Sequence, residues 1–223
     1  MPDGQYSFYL HSDDRTDIAA MATISTISQP LRGEFIRTAA TAGAVVYQVD
    51  ARLPALIPVF FAGQLSAVRL CAVMALVSGA WSSLTGLPDE PENGEAALPV
   101  SPETEYQRRR YTLTLQNGRS GERVESVLTE ASSRLRGDLL RNLIITGLAL
   151  HTTAPELPRL LVSMPVPPTS VSELQALVQQ MAGTADVNRA AAAVPDTPTA
   201  SAAPVSGSDT REIKKNMRRA FGD

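Results

Sequence analysis

A single cysteine, Cys71, leaves no partner for an internal disulfide and points to a reducing compartment. The two histidines, His11 and His151, stand far apart, and with one cysteine they supply no cluster at metal-ligand spacing. There is no glycine-rich phosphate loop followed by a lysine, and no HExxH pair. No catalytic constellation, metal or cofactor is expected, and the chain reads as a non-enzyme. Charge of one sign is scarce too: 20 Lys and Arg against 23 Asp and Glu leave a net −3. A global basic field is excluded, so any nucleic-acid contact must rest on local patches. Hydrophobic runs fall short of the ~20 residues that span a bilayer. The longest, Ala67 to Trp81, carries Arg69 and Ser78 and reads as a buried helix. The amino terminus, MPDGQYSFYLHSDDR, is polar and acidic. It is expected to carry no signal peptide, which makes the expected location cytoplasmic, away from any membrane.

What the chain has is repetition, and repetition decides its organisation. LRGEFIRTAATAGAVV starts at Leu31 and LRGDLLRNLIITGLAL at Leu135. Leu31, Arg32 and Gly33 match Leu135, Arg136 and Gly137, and Glu34 matches Asp138. Arg37 matches Arg141, Gly43 matches Gly147, and Leu53-Pro54 matches Leu157-Pro158. Upstream the offset grows by one, so that Tyr6 meets Tyr111 and Leu10 meets Leu115. Matching polar, glycine and proline positions identify a duplication rather than two similar amphipathic helices.

Each unit has the same pattern. YSFYL and YTLTL alternate, the period of a half-buried strand. Tyr6, Phe8 and Leu10 share one face; Ser7 and Tyr9, with Gln5 and His11, share the other. In the second unit Tyr111, Leu113 and Leu115 point inward, and Arg110, Thr112, Thr114 and Gln116 outward. A polar loop follows, then a helix with Ile18, Met21, Ala22 and Ile24, or Val124, Val127, Leu128 and Ala131, on its apolar side. Breaks at Ser28-Gln29-Pro30 and Ser132-Ser133-Arg134 precede a second helix. Its apolar positions are Phe35, Ile36, Ala39 and Ala42, and Leu139, Leu140, Leu143 and Ile144. Gly43 and Gly147 inside it cost ~1 kcal/mol each, which implies a close helix crossing.

A lone strand cannot satisfy its own backbone groups, and a unit of about fifty residues buries little apolar surface. Pairing two units into an antiparallel ribbon over interlocked helices solves both problems. The expected fold is mainly α with short β, two tandem units forming a covalent pseudo-dimer. The rival is pairing of each unit with a unit of another molecule. A two-stranded ribbon fits the DNA major groove and reads base edges with its outward side chains.

The alternating strand, the helix break and the LRGEFIR and LRGDLLR helix starts resemble the ribbon-helix-helix family. In that family backbone amides at the start of the second helix hold a DNA phosphate, because unpaired N–H groups and the helix dipole converge there. The resemblance implies this role for Gly33 and Gly137, with charge added by Arg32, Arg134 and Arg136. A solvated surface is the plain alternative for each arginine. Glu34 and Arg37 read as a helix-stabilising pair. More narrowly, RGEFIRTAATAGAVVYQVDARLPAL and RGDLLRNLIITGLALHTTAPELPRL are similar to plasmid stability and partition proteins of the StbB/ParR type. These are bacterial, plasmid-associated DNA-binding adaptors. Members commonly carry one unit and dimerise, whereas this chain carries two. Its outward residues differ between units, Ser7 and Tyr9 against Thr112 and Thr114, which argues against a strictly palindromic target.

The expected segments are a first unit with extra helices over 1–84, a linker over 85–105 rich in Pro, Gly and acid, and a second unit over 106–182. In the second unit the stretch after Pro158 looks largely replaced, with one helix from Val171 to Met181 capped by Ser172. Residues 183–208 lack large apolar side chains and are expected to be disordered. Residues 209–223 read as a capped basic helix with Ile213, Met217 and Phe221 in one stripe and Lys214, Lys215, Arg218 and Arg219 around it. The resemblance implies that this segment engages an actin-like filament ATPase of the ParM/StbA type through Ile213, Lys214, Met217, Arg218 and Phe221. The alternatives there are nonspecific grip on DNA and docking on the chain's own body. The leading expectation is a centromere-binding adaptor for plasmid DNA segregation that self-associates on double-stranded DNA. The alternatives are a repressor or antitoxin of the same fold, and a structural protein-interaction module that binds no DNA.

Overall fold

The computed structural model describes residues 4–80 and 107–192, the last nine of these as backbone only. The first unit runs β1 (Gln5–His11), α1 (Arg15–Ser25), α2 (Gln29–Val49), α3 (Leu53–Phe60) and α4 (Ala67–Ser78). The second runs β2 (Arg108–Thr114), α5 (Arg119–Glu130), α6 (Arg136–Thr153), α7 (Leu157–Ser163) and α8 (Val171–Ala192).

The two strands pair with each other, antiparallel, within one chain. Gln5 stands opposite Thr114, Ser7 opposite Thr112, Tyr9 opposite Arg110 and His11 opposite Arg108. Ser7 and Thr112 are also the residues that the repeat superimposes. The pseudo-two-fold axis therefore runs through this pair. The inward alternation is as the sequence implies: Phe8, Leu10, Leu113 and Leu115 are buried, and Tyr6 and Tyr111 are half-buried. Phe8 stacks on Tyr111 with ring centroids 5.2 Å apart.

Beneath the ribbon α2 crosses α6, and the first and third helices of each unit pack on the partner unit's second helix. α1 and α3 lie on α6; α5 and α7 lie on α2. The core is one continuous cluster shared by both units, in a body that ends near Arg189. Leu140, Leu143, Ile144 and Leu148 are fully buried in it, each worth about 1.5–3 kcal/mol of transfer free energy. At the crossing, a methyl group on Gly43 would overlap the Leu143 carbonyl, and one on Gly147 would overlap the Ala39 carbonyl. Ala39 and Leu143 are repeat equivalents, so the contact is reciprocal, as a two-fold interface requires.

Three sequence expectations need correction. The buried face of α1 carries Asp17, Ala19, Ala20 and Ile24; Ile18 and Met21 are half-buried and Ala22 is exposed. Close packing of a short helix selects its small side chains, which apolar periodicity alone does not reveal. The cap of α8 is Ser170, whose Oγ accepts from the Glu173 amide at 3.2 Å, not Ser172. The Glu173 carboxylate accepts in return from the Thr169 amide at 2.8 Å, closing a box around the first turn. Finally, α8 continues past Met181 to Ala192, into residues expected to be disordered, because the alanine-rich stretch there favours helix.

Nor is the end of the second unit a replacement. α4 starts at Ala67 behind the Ser66 cap and α8 starts at Val171 behind Ser170, which is the repeat offset again. Leu70 and Met74 are fully buried on α4, and their equivalents Leu174 and Val178 are fully buried on α8. Sequence drift hid a fourth equivalent helix. Among the described residues no helix is long and apolar enough to cross a membrane.

Candidate nucleic-acid interface

The outward face of the ribbon carries Gln5, Ser7, Tyr9 and His11 from β1 and Arg108, Arg110, Thr112 and Thr114 from β2. Alternation turns these side chains away from the core, so none is needed for packing. Arg110, Thr112 and Thr114 are exposed, and Ser7 and Tyr9 are partly covered by their cross-strand neighbours. Arg110 donates to the Ser7 hydroxyl through Nε at 3.2 Å and Nη2 at 3.0 Å. The Arg108 guanidinium lies 3.5 Å from the centroid of the Tyr9 ring. Both arginines are thus held in place on the open face rather than left loose. Sequence reading missed Arg108 because the YTLTL alternation was not extended backwards; the strand begins earlier and Arg108, like Arg110, falls on the outer side.

The second helices begin beside this face. α2 starts after Ser28 and α6 after Leu135, and neither position provides a side-chain cap. α3, α5 and α7 likewise lack a side-chain cap, whereas α1 is capped by Asp14 and α4 by Ser66. Gly33 is exposed, and a Cβ there would meet only the Arg37 guanidinium at 3.7 Å. Gly137 lies against β1, where a Cβ would stand 3.5 Å from the Ser7 carbonyl oxygen. Gly137 is the second residue of α6 and lies next to the ribbon, whereas Gly33 is the fifth residue of α2, because that helix starts at Gln29, two residues before the Leu-Arg-Gly triplet expected to open it. Arg32 and Arg136 are placed differently from a free phosphate clamp. Arg32 donates to the Ile27 carbonyl at 2.8 Å and the Ser25 carbonyl at 3.2 Å. Arg136 donates to the Ala131 carbonyl at 3.2 Å. Ile27 and Ala131 are repeat equivalents, so both arginines close the end of the preceding helix and fix the angle of the helix break. Arg134 is exposed.

The pseudo-symmetry fails at the second helices' arginines Arg37 and Arg141. Arg37 pairs with Glu34 at 2.7 Å on the surface, as expected. Its equivalent Arg141 instead crosses to the other unit, where Nε donates to Asp17 Oδ1 at 2.6 Å and Nη2 lies 3.3 Å from Asp14. Asp17 also accepts the His11 amide at 2.9 Å. The residue equivalent to Asp17 is Gly121, which offers Arg37 no carboxylate. Burial pushes the Asp17 carboxyl above its usual range, more than the hydrogen bonds from Arg141 and the His11 amide pull it down. This cluster borders an open cleft of about 620 Å³ that reaches Tyr9, Arg108, Arg134 and the exposed Asp13. The loop after β2 is different, with Asn117, Gly118 and Arg119 in its place.

The sequence model of the family described as plasmid stability protein matches residues 4–74 and 109–178, more than half of the chain. The chain belongs to this family. One match starts just before β1 and the other at the second residue of β2, and each ends within the fourth helix, so one plasmid stability unit is one strand and four helices, and the chain contains two. Membership supports a role in plasmid maintenance. No curated protein and no solved structure matches the chain. The residues Ile213, Lys214, Met217, Arg218 and Phe221 lie outside the described residues.

Proposed function

We propose that this plasmid stability protein is a sequence-specific DNA-binding adaptor of the StbB/ParR type, which grips a centromere-like site with its ribbon and captures an actin-like filament ATPase with residues 209–223. The observation that carries the DNA half is the outer ribbon face. It is free of packing duty, bears two pre-positioned guanidinium groups, and is flanked by two uncapped helix starts. Hydroxyl, amide and guanidinium groups at two-residue spacing match what base edges offer in the major groove, and the helix starts suit phosphates. The filament half rests on the apolar stripe Ile213, Met217 and Phe221 set among Lys214, Lys215, Arg218 and Arg219. A cytoplasmic site of action follows from this reading.

The test is paired. A gel-shift titration with DNA flanking the gene measures the ribbon, and co-sedimentation with the partner filament measures the tail. Deleting Ser208 to Asp223 leaves specific DNA affinity within a few fold and abolishes filament capture. Retained capture would remove the adaptor role. Lost DNA binding would assign the basic tail to nucleic acid and favour a repressor.

A further inference from the structure

The pseudo-two-fold axis through Ser7 and Thr112 divides the outer face into halves of different chemistry. On one side Gln5 faces Thr114; on the other Arg110 faces Tyr9, with Arg108 stacked on the same ring. Under the repeat Gln5 is equivalent to Arg110, and Thr114 to Tyr9. A true two-fold dimer would place the same residues on both sides. Here one half is neutral and small, and the other carries two guanidinium groups and an aromatic ring. We propose that the chain binds its DNA in a single orientation, on a non-palindromic site with guanine under the Arg110–Tyr9 half and an A·T pair under the Gln5–Thr114 half. This rests on the DNA-binding reading above.

The chemistry follows from hydrogen-bond geometry. A guanidinium donates two parallel bonds to guanine O6 and N7. A glutamine amide pairs with adenine N6 and N7, and a threonine methyl packs on the thymine methyl. The hydrogen bonds from Arg110 to Ser7 hold its side chain near the axis, which removes ordering entropy before DNA arrives. Gln5 and Tyr9 are four residues apart on one strand, a span of roughly 13 Å at ~3.3 Å per residue. The two readings therefore fall roughly four base pairs apart at ~3.4 Å per step.

The experiment has two arms on the full-length protein. Selection from a randomised duplex library gives the preferred site. A cleavage reagent tethered at Asn117→Cys, in the exposed loop after β2, then reports orientation, while Cys71 stays buried and unlabelled. The expected result is a non-palindromic consensus, cleavage at one end only, and a tenfold or larger loss when the guanine under Arg110 is replaced. The double variant Gln5→Arg with Arg110→Gln exchanges surface groups without touching the core. It moves the cleavage to the other end of the same duplex. A palindromic consensus, or equal cleavage at both ends, overturns the orientation while leaving specific DNA binding intact. Failure to select any sequence overturns both.

Discussion

Gly43 rests on the backbone of Leu143 so closely that a single added methyl group would overlap the Leu143 carbonyl. The repeat generates the same contact between Gly147 and Ala39. These two glycines set the distance between α2 and α6, and through it the seat of the ribbon above. Gly43→Ala and Gly147→Ala should each destabilise the fold by about 2–3 kcal/mol despite the better helix propensity of alanine. Urea titration of both variants measures this, with the two losses of similar size.

The Arg141–Asp17 pair joins the end of β1 to the other unit's second helix. Removing the guanidinium strands a buried carboxylate, so Arg141→Ala should cost about 3 kcal/mol or more at neutral pH. The Asp17 carboxyl titrates higher in the folded state than in the unfolded chain. Its favourable contribution is therefore present in acid, below the unfolded value, and is lost as pH rises through the folded value. Arg141→Ala should recover part of its loss on acidification, as the raised Asp17 carboxyl takes up a proton. Asp17→Asn, compared with the wild type over the same range, should lose ground as pH falls. Stability curves at a series of pH values test both.

Gly33 separates folding from binding. Its surroundings leave room for a methyl group, so Gly33→Ala should raise stability by up to ~1 kcal/mol. The same methyl group adds bulk just after the first turn of α2, beside the free amides a phosphate would meet. DNA affinity should fall by a similar factor for every sequence tested. Thermal melting and gel shifts on specific and random duplexes give the two readouts.

Thr112→Ala with Thr114→Ala should act in the opposite sense. Both side chains are exposed, so the melting temperature should stay within a degree or two. Discrimination between the preferred site and random DNA should shrink, because base-edge contacts are lost while phosphate contacts remain. Equal discrimination in the variant would remove these threonines from the reading face.

Thr146 Oγ1 is buried without a hydrogen-bond partner among the described residues. Replacing the hydroxyl by a methyl group of the same shape removes the desolvation cost. Thr146→Val should stabilise the protein by about 1 kcal/mol, less the small helix penalty of valine. Denaturant midpoints decide it.

The sequence alone determined what depends on neighbours along the chain. The alternation of Tyr6, Phe8 and Leu10 decided which strand residues face out, because a strand has period two. The Leu-Arg-Gly phrases and the interior glycines announced the repeat and the close crossing, although α2 starts at Gln29, inside the expected break. Tertiary structure decided what depends on partners far away. Arg37 and Arg141 occupy equivalent places in near-identical phrases, yet one bonds Glu34 and the other bonds Asp17 across the units, because Gly121 stands where Asp17 would be. Arg32 and Arg136 turned back to helix ends, and α1 buried Asp17, Ala19 and Ala20 beside Ile24 while Ile18 and Met21 stayed half-buried. α8 kept the position of α4 after the letters had drifted, since a core demands volume at Leu174 and Val178 but not particular identities. Periodicity is local and survives in the one-dimensional text; packing distance and charge pairing are set by which surfaces the fold brings together.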